Sequence, residues 1–92
     1  MQFLSISRPH RSFTESQYLE LVDAEGRQAR TLYTNGTIRQ LWHRMDAPGV
    51  CILWEANDAK DVKEMLDALP FAKAGIVEFT VIPLKPYKGF GS

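Results

Sequence analysis

Glu25 sits in a setting that conflicts with its chemistry. Tyr18, Leu21, Val22, Ala29, Leu32 and Tyr33 recur at the spacing of one α-helical face, and Glu25 takes a position on that stripe where an apolar residue belongs. A carboxylate among apolar neighbours loses hydration, which raises its pKa toward the range of a general acid or base. The simpler account is an ion pair with Arg27, Arg30, Arg39 or Arg44. Glu78 alternates with Ile76 and Thr80 in a strand-like run, on the face assigned to an interior, where a carboxylate has few partners and a substrate proton is within reach. Its plainer alternative is a solvated carboxylate on an edge strand. His43 is the one histidine inside a regular element, and its imidazole suits proton shuttling near neutral pH unless it is only a packed or exposed strand residue. The candidate catalytic set is therefore Glu25 and Glu78, with His43 in reserve.

The candidate binding residues are Tyr18 and Trp42, which would shape a pocket, and Arg8 or Arg11, which would hold an acid group. His10 stands between those arginines just before a helix start, a place suited to a carboxylate, although a solvated basic loop explains the same composition. Trp42 and Trp54 read either as an aromatic wall or as a cross-strand core pair. Ser5 and Ser7 have no accompanying His and Asp relay, so nucleophilic catalysis lacks support. Two histidines and one cysteine at unrelated spacings make no metal site, so no metal is expected, and no glycine-rich phosphate loop is present. Cys51, flanked by apolar residues, reads as a small buried hydrophobe; being alone it excludes an internal disulfide and fits a reducing cytoplasm.

The elements that must position these groups are legible from period and punctuation. Gln2 to Ser7 alternates, with Leu4 and Ile6 on one side and Phe3, Ser5 and Ser7 on the other, as a strand does. Arg8 to Phe13 is a loop around Pro9. Thr14 and Gln17 have capping-box spacing, with Glu15 in the first turn, and Asn35-Gly36 ends the helix they begin. Thr37 to Arg44 and Gly49 to Glu55 are rich in β-branched and aromatic residues around a turn-like Met45 to Gly49, and so predict a hairpin. Asn57-Asp58 caps a second helix carrying Val62, Met65, Leu66 and Leu69, which Pro70 stops; Phe71 to Gly75 connects it to a last strand, Gly75 to Ile82. The segment from Pro83 to Ser92 reads as a tail, with Tyr87 and Phe90 available to cover a partner.

Strand, helix, strand, strand, helix, strand is the order of the ferredoxin-like βαββαβ sandwich, an α+β fold with a four-stranded antiparallel sheet and two helices on one face. A chain of 92 residues forms one domain, core about 2–84, and at this size about 60–65% of the unfolded surface is buried. The uncovered sheet face is assigned Phe3, Ile76, Ile82 and either Leu41 or Trp42, an apolar patch that a second copy would cover by two-fold packing. Eleven basic residues balance eleven acidic ones, which gives no field to attract nucleic acid or an anionic membrane. No run approaches the ~18 apolar residues of a membrane span, and Met1 to Leu4 lacks the basic start of an export signal. The expectation is a cytoplasmic homodimer, open to higher assembly, with a small-molecule ligand.

Glu25-x6-Leu32-x3-Gly36-x4-Leu41-Trp42-x-Arg44, followed by Leu69-Pro70-Phe71 and Ile76-Val77-Glu78-Phe79, resembles the muconolactone delta-isomerase family over roughly residues 20 to 84. The resemblance implies a dimeric α+β barrel, often assembled into decamers, that shifts a double bond in an unsaturated lactone of aromatic catabolism without a cofactor. The implied chemistry is proton abstraction beside a carbonyl, then reprotonation. This chain departs from the family in its first strand, where Leu4 and Ile6 stand in place of a His and an Arg, and in the composition of Pro9-His10-Arg11. Cofactor-free monooxygenases and non-enzymatic binding or structural modules share the barrel and are the alternatives.

Overall fold

The computed structural model describes residues 1–90, apart from the side chain of Phe90. The elements follow in the order β1 (Gln2–Pro9), α1 (Glu15–Thr34), β2 (Ile38–His43), β3 (Val50–Glu55), α2 (Ala59–Asp67), α3 (Pro70–Lys73) and β4 (Val77–Leu84), with a 3-10 turn at Lys88–Phe90. The strands form one antiparallel sheet ordered β2-β3-β1-β4, the ferredoxin-like arrangement. The caps lie where the sequence puts them. The Gln17 amide donates to Thr14 Oγ1 at 3.1 Å and the Thr14 amide to Gln17 Oε1 at 2.9 Å; the Asp61 amide donates to Asp58 Oδ1 at 2.9 Å. Gly36, just past the end of α1, has φ 87°.

Parity in β1 sorts the sheet into two faces. Phe3, Ser5 and Ser7 are buried under the helices with Ile52 and Trp54 of β3. Val62, Leu66 and Leu69 close that core from above, and Ile38 completes it from β2. Two hydroxyls lie inside this apolar layer because each has work there. Ser5 Oγ accepts the indole Nε1–H of the fully buried Trp54 at 2.9 Å, and Ser7 Oγ accepts the Val50 amide at 2.8 Å. The same end of the hairpin is held by Arg44, which chelates Asp46 through Nε and Nη2 at 3.0 and 2.8 Å and donates to the Ser7 carbonyl. That guanidinium keeps the Asp46 carboxyl below its ordinary range. Gly49 lies so close to Ser7 that an added Cβ would stand 2.1 Å from its carbonyl oxygen, and with φ 139° the position favours glycine.

Several expectations are corrected. Phe3 and Ile76 belong to the core rather than the open face. Ile76 precedes the ladder, which begins at the Pro9–Val77 pair, so strand alternation does not govern it. Of Leu41 and Trp42, it is Trp42 that lies on the open face, with Leu41 against the core. Trp42 and Trp54 are thus on opposite faces and form no pair. Pro70 does more than stop α2: it is the first residue of α3, in the segment read as a connection. β4 runs on through Pro83 to Leu84, because an edge strand tolerates a missing N–H. Tyr87 is largely exposed; the expectation for the Phe90 side chain, and residues 91–92 of the tail, lie outside the described residues.

Ser5→Ala leaves the buried Trp54 N–H without its acceptor and should lower unfolding stability by about 1–3 kcal/mol in urea titration. An unchanged midpoint would mean that the indole finds another acceptor.

Candidate functional site

The open face of the sheet is built in rows across the strands. Gln40, Leu53, Leu4 and Ile82 form one row, and Trp42, Cys51, Ile6 and Thr80 the next. Beyond them, where β1 and β4 continue past the end of β3, stand Arg8 and its partner in register, Glu78. The face is therefore an apolar floor with an ionic border. At that border Arg8 Nε donates to Glu78 Oε1 at 2.9 Å and Arg8 Nη1 to Thr80 Oγ1 at 2.9 Å. His10 Nδ1 lies 3.0 Å from the other carboxylate oxygen, Oε2. The His10 backbone is fixed in turn, since its amide donates to the Ile76 carbonyl at 2.9 Å. One carboxylate thus holds a guanidinium and an imidazole, the one place among the described residues where His10, Arg8 and an acid converge.

This grouping unites only part of the predicted set. Glu78 and Arg8 are in it; Trp42 shares the open face, 48% exposed, but stands on β2 at the opposite margin of the sheet from β4. Glu78 is not poor in partners, as the sequence suggested, because the loop carrying His10 folds back beside it. Sequence reasoning gave His10 a carboxylate-holding role; the missing signal was its long-range pairing with β4. Arg8 follows Leu4 and Ile6 on the same face of the first strand.

The other candidates lie elsewhere. His43 is exposed and pairs in register with Val50, a position on the opposite face from Trp42. Arg11 secures a helix end, donating from Nη2 to the Ala74 carbonyl at 2.7 Å and from Nη1 to the Ser12 carbonyl at 3.2 Å. Tyr18 stacks between Phe13 and Phe71, with ring centroids 6.3 and 5.4 Å away. Among the described residues no three His, Cys, Asp or Glu side chains are placed to hold a metal ion. No helix of the described residues is long and apolar enough to cross a membrane.

Glu25 lies in the helix layer rather than on the open face. Its Oε1 accepts the Phe71 amide at 2.9 Å, so the carboxylate caps the start of α3 and ties it to α1. It makes no salt bridge with Arg27, Arg30, Arg39 or Arg44. Loss of hydration raises its pKa above the ordinary carboxyl range, and the Phe71 N–H partly opposes the shift. The lost hydration inferred from sequence is there; its use is a helix cap.

The architecture defines the class: a ferredoxin-like α+β sandwich with one sheet face uncovered by its own helices. The family model described as muconolactone delta-isomerase matches residues 1–89, and the chain belongs to that family. Among solved structures it is similar to muconolactone isomerase, at 18% identity and TM-score 0.80, over 95% of this chain and 91% of that one. It is also similar to 5-chloro-2-hydroxyhydroquinone dehydrochlorinase from Burkholderia phenoliruptrix in complex with 2,5-dihydroxybenzoquinone. There the identity is 22% and the TM-score 0.74, over 97% of this chain and 98% of that one. At such identities the likeness carries the fold. No curated protein sequence matches the chain.

The Glu25 cap has a pH signature. A carboxyl whose pKa is raised on folding binds its proton more tightly in the folded state, so its contribution is full below the unfolded pKa and is lost as pH rises through the folded one. Glu25→Gln keeps an acceptor for the Phe71 N–H and cannot ionise; its stability should fall less than the parent's between pH 4 and pH 7. Glu25→Ala removes the acceptor and should cost about 1 kcal/mol at pH 4, where the charge contributes little. Urea unfolding of the three proteins at both pH values checks this.

Proposed function

We propose that this protein is a cofactor-free isomerase that moves a proton on a small unsaturated lactone or cyclic carbonyl compound. The observation that carries the reading is the Glu78 carboxylate shared between Arg8 and His10 at the border of an apolar sheet face. A proton on Nδ1 facing Glu78 leaves the lone pair of the neutral imidazole on Nε2, turned away from the carboxylate. Nε2 then removes a proton from the saturated carbon at the far end of the unsaturation conjugated to the substrate carbonyl. The C–H electron pair passes into the ring as an enolate, while the Arg8 guanidinium holds the Glu78 carboxylate in place. The imidazolium returns the same proton at the carbon beside the carbonyl, so the double bond moves and nothing is gained or lost. Glu78 balances the transient imidazolium charge and orients the ring. Family membership supports this class of chemistry, and the planar dicarbonyl ligand of the dehydrochlorinase supports a ring-shaped substrate.

The assembly we propose is a homodimer through the open sheet face, an α+β barrel, working in a reducing cytoplasm. Leu4, Ile6, Leu53 and Ile82 supply the apolar contact. Light scattering should give a dimer at micromolar concentration, and Leu53→Lys, which puts a charge in that contact, should give a monomer.

Muconolactone, incubated without oxygen, should show an enzyme-dependent absorbance change. Glu78→Gln and His10→Gln should each lower turnover by about 10²–10⁴-fold, the usual worth of a general acid or base, with the dimer intact. Full activity in both variants would remove the assignment. Oxygen uptake would instead make the protein a monooxygenase, and thermal stabilisation without turnover a binding module.

A further inference from the structure

The helix-facing side of β4 is incompletely roofed. Val77, Phe79 and Val81 point toward the helices, yet all three are only half-buried, whereas Ile52 and Trp54 on the same face of β3 are buried. The cause is the size of the roof: α2 has 9 residues and α3 only 4, and the chain turns back at Gly75 before β4 begins. What remains is a groove of about 320 Å³ along the outer edge of the sheet, with Leu66 and the three β4 side chains as its floor. His10 and Glu78 both line it. A carboxylate on an edge strand is reachable around that edge, so the pair borders the groove as well as the open face.

We propose that this groove is the ligand pocket served by His10 and Glu78, and that it takes a small planar cyclic carbonyl compound bearing at most one negative charge. The volume is at the low end of small-molecule sites, which run from about 300 to 1,000 Å³. A floor of Phe79 and aliphatic side chains suits the flat face of a ring. The charges on the wall set the limit on the ligand: Lys63 stands one helical turn from Asp67, and with Glu78 the lining carries one lysine against two carboxylates. A polyanion would be repelled. A neutral ring, or one with a single acid or enolate group near Lys63, would not. The proposal depends on the proton-shift reading only for what happens to the ligand after it binds. It also separates two surfaces: the open face would pair with a second copy, while the ligand enters from the edge.

The probe is 2(5H)-furanone, a neutral planar unsaturated lactone, titrated into the whole chain and followed by amide NMR and calorimetry. Shifts confined to Ala72, Val77, Phe79, Val81 and the His10 loop are expected. Shifts at Leu4, Ile6, Leu53 and Trp42 instead, or none at millimolar probe, overturn the proposal. Ala72→Trp, which fills the groove from α3, should weaken binding by at least 10-fold. Asp67→Trp does the same from an exposed position and serves if Ala72→Trp fails to fold. An unchanged Kd in either folded variant also overturns it. Binding that survives while muconolactone and related lactones are not turned over removes the isomerase reading and leaves the groove assignment standing.

Discussion

The hydrogen bond from the Trp54 indole to the Ser5 hydroxyl decides which side of this sheet is core. A tryptophan is too large to be buried with its N–H unanswered, and in an antiparallel sheet the nearest answer is a diagonal neighbour on the adjoining strand. Once Ser5 faces the helices, so must Phe3 and Ser7, and Leu4, Ile6 and Arg8 are turned to the other side. A slip of one residue in the β1–β3 register would bury Arg8 and expose Phe3. The ionic border of the open face therefore follows from a contact on the opposite face, through nothing but the two-residue period of the strand.

The helix layer obeys a different constraint. It is thin over β4, and α3 is too short to be stable as an isolated helix. It is held at both ends by side chains from elsewhere: Glu25 accepts its Phe71 amide and Arg11 donates to its Ala74 carbonyl. Both residues looked like active-site material by type and setting. Each instead satisfies a helix terminus that has no backbone partner. Their charges match the ends they hold, an acid at the amide end and a base at the carbonyl end.

These cases explain what was legible in the sequence and what was not. Element order, caps and the alternation of β1 could be read directly, because period and punctuation are local. The choice of core face could not, since Phe3-x-Ser5-x-Ser7 looks half-polar until Trp54 and Val50 are found to consume the hydroxyls. Glu25 was legible as a dehydrated carboxylate, but its partner belongs to a helix that Pro70 seemed to forbid. Glu78 was recognised and its partnership with His10 was not, because a loop early in the chain and a strand near its end meet only after the sheet has formed. Local chemistry identifies an unusual residue; tertiary pairing decides its use.

The two sheet edges carry a consequence for aggregation. On one side β2 is interrupted between Ile38 and Gln40 by a bulge that carries Arg39, and on the other β4 contains Pro83. A bulge with a charged residue distorts the hydrogen-bonding rim of β2, and a proline leaves the rim of β4 without one donor. Strand-to-strand extension into a continuous sheet, the route by which exposed edges lead to fibres, is discouraged at both margins. The flat apolar face has no such guard. The margins of the sheet are thereby closed to fibre-like growth, while its apolar face is left open.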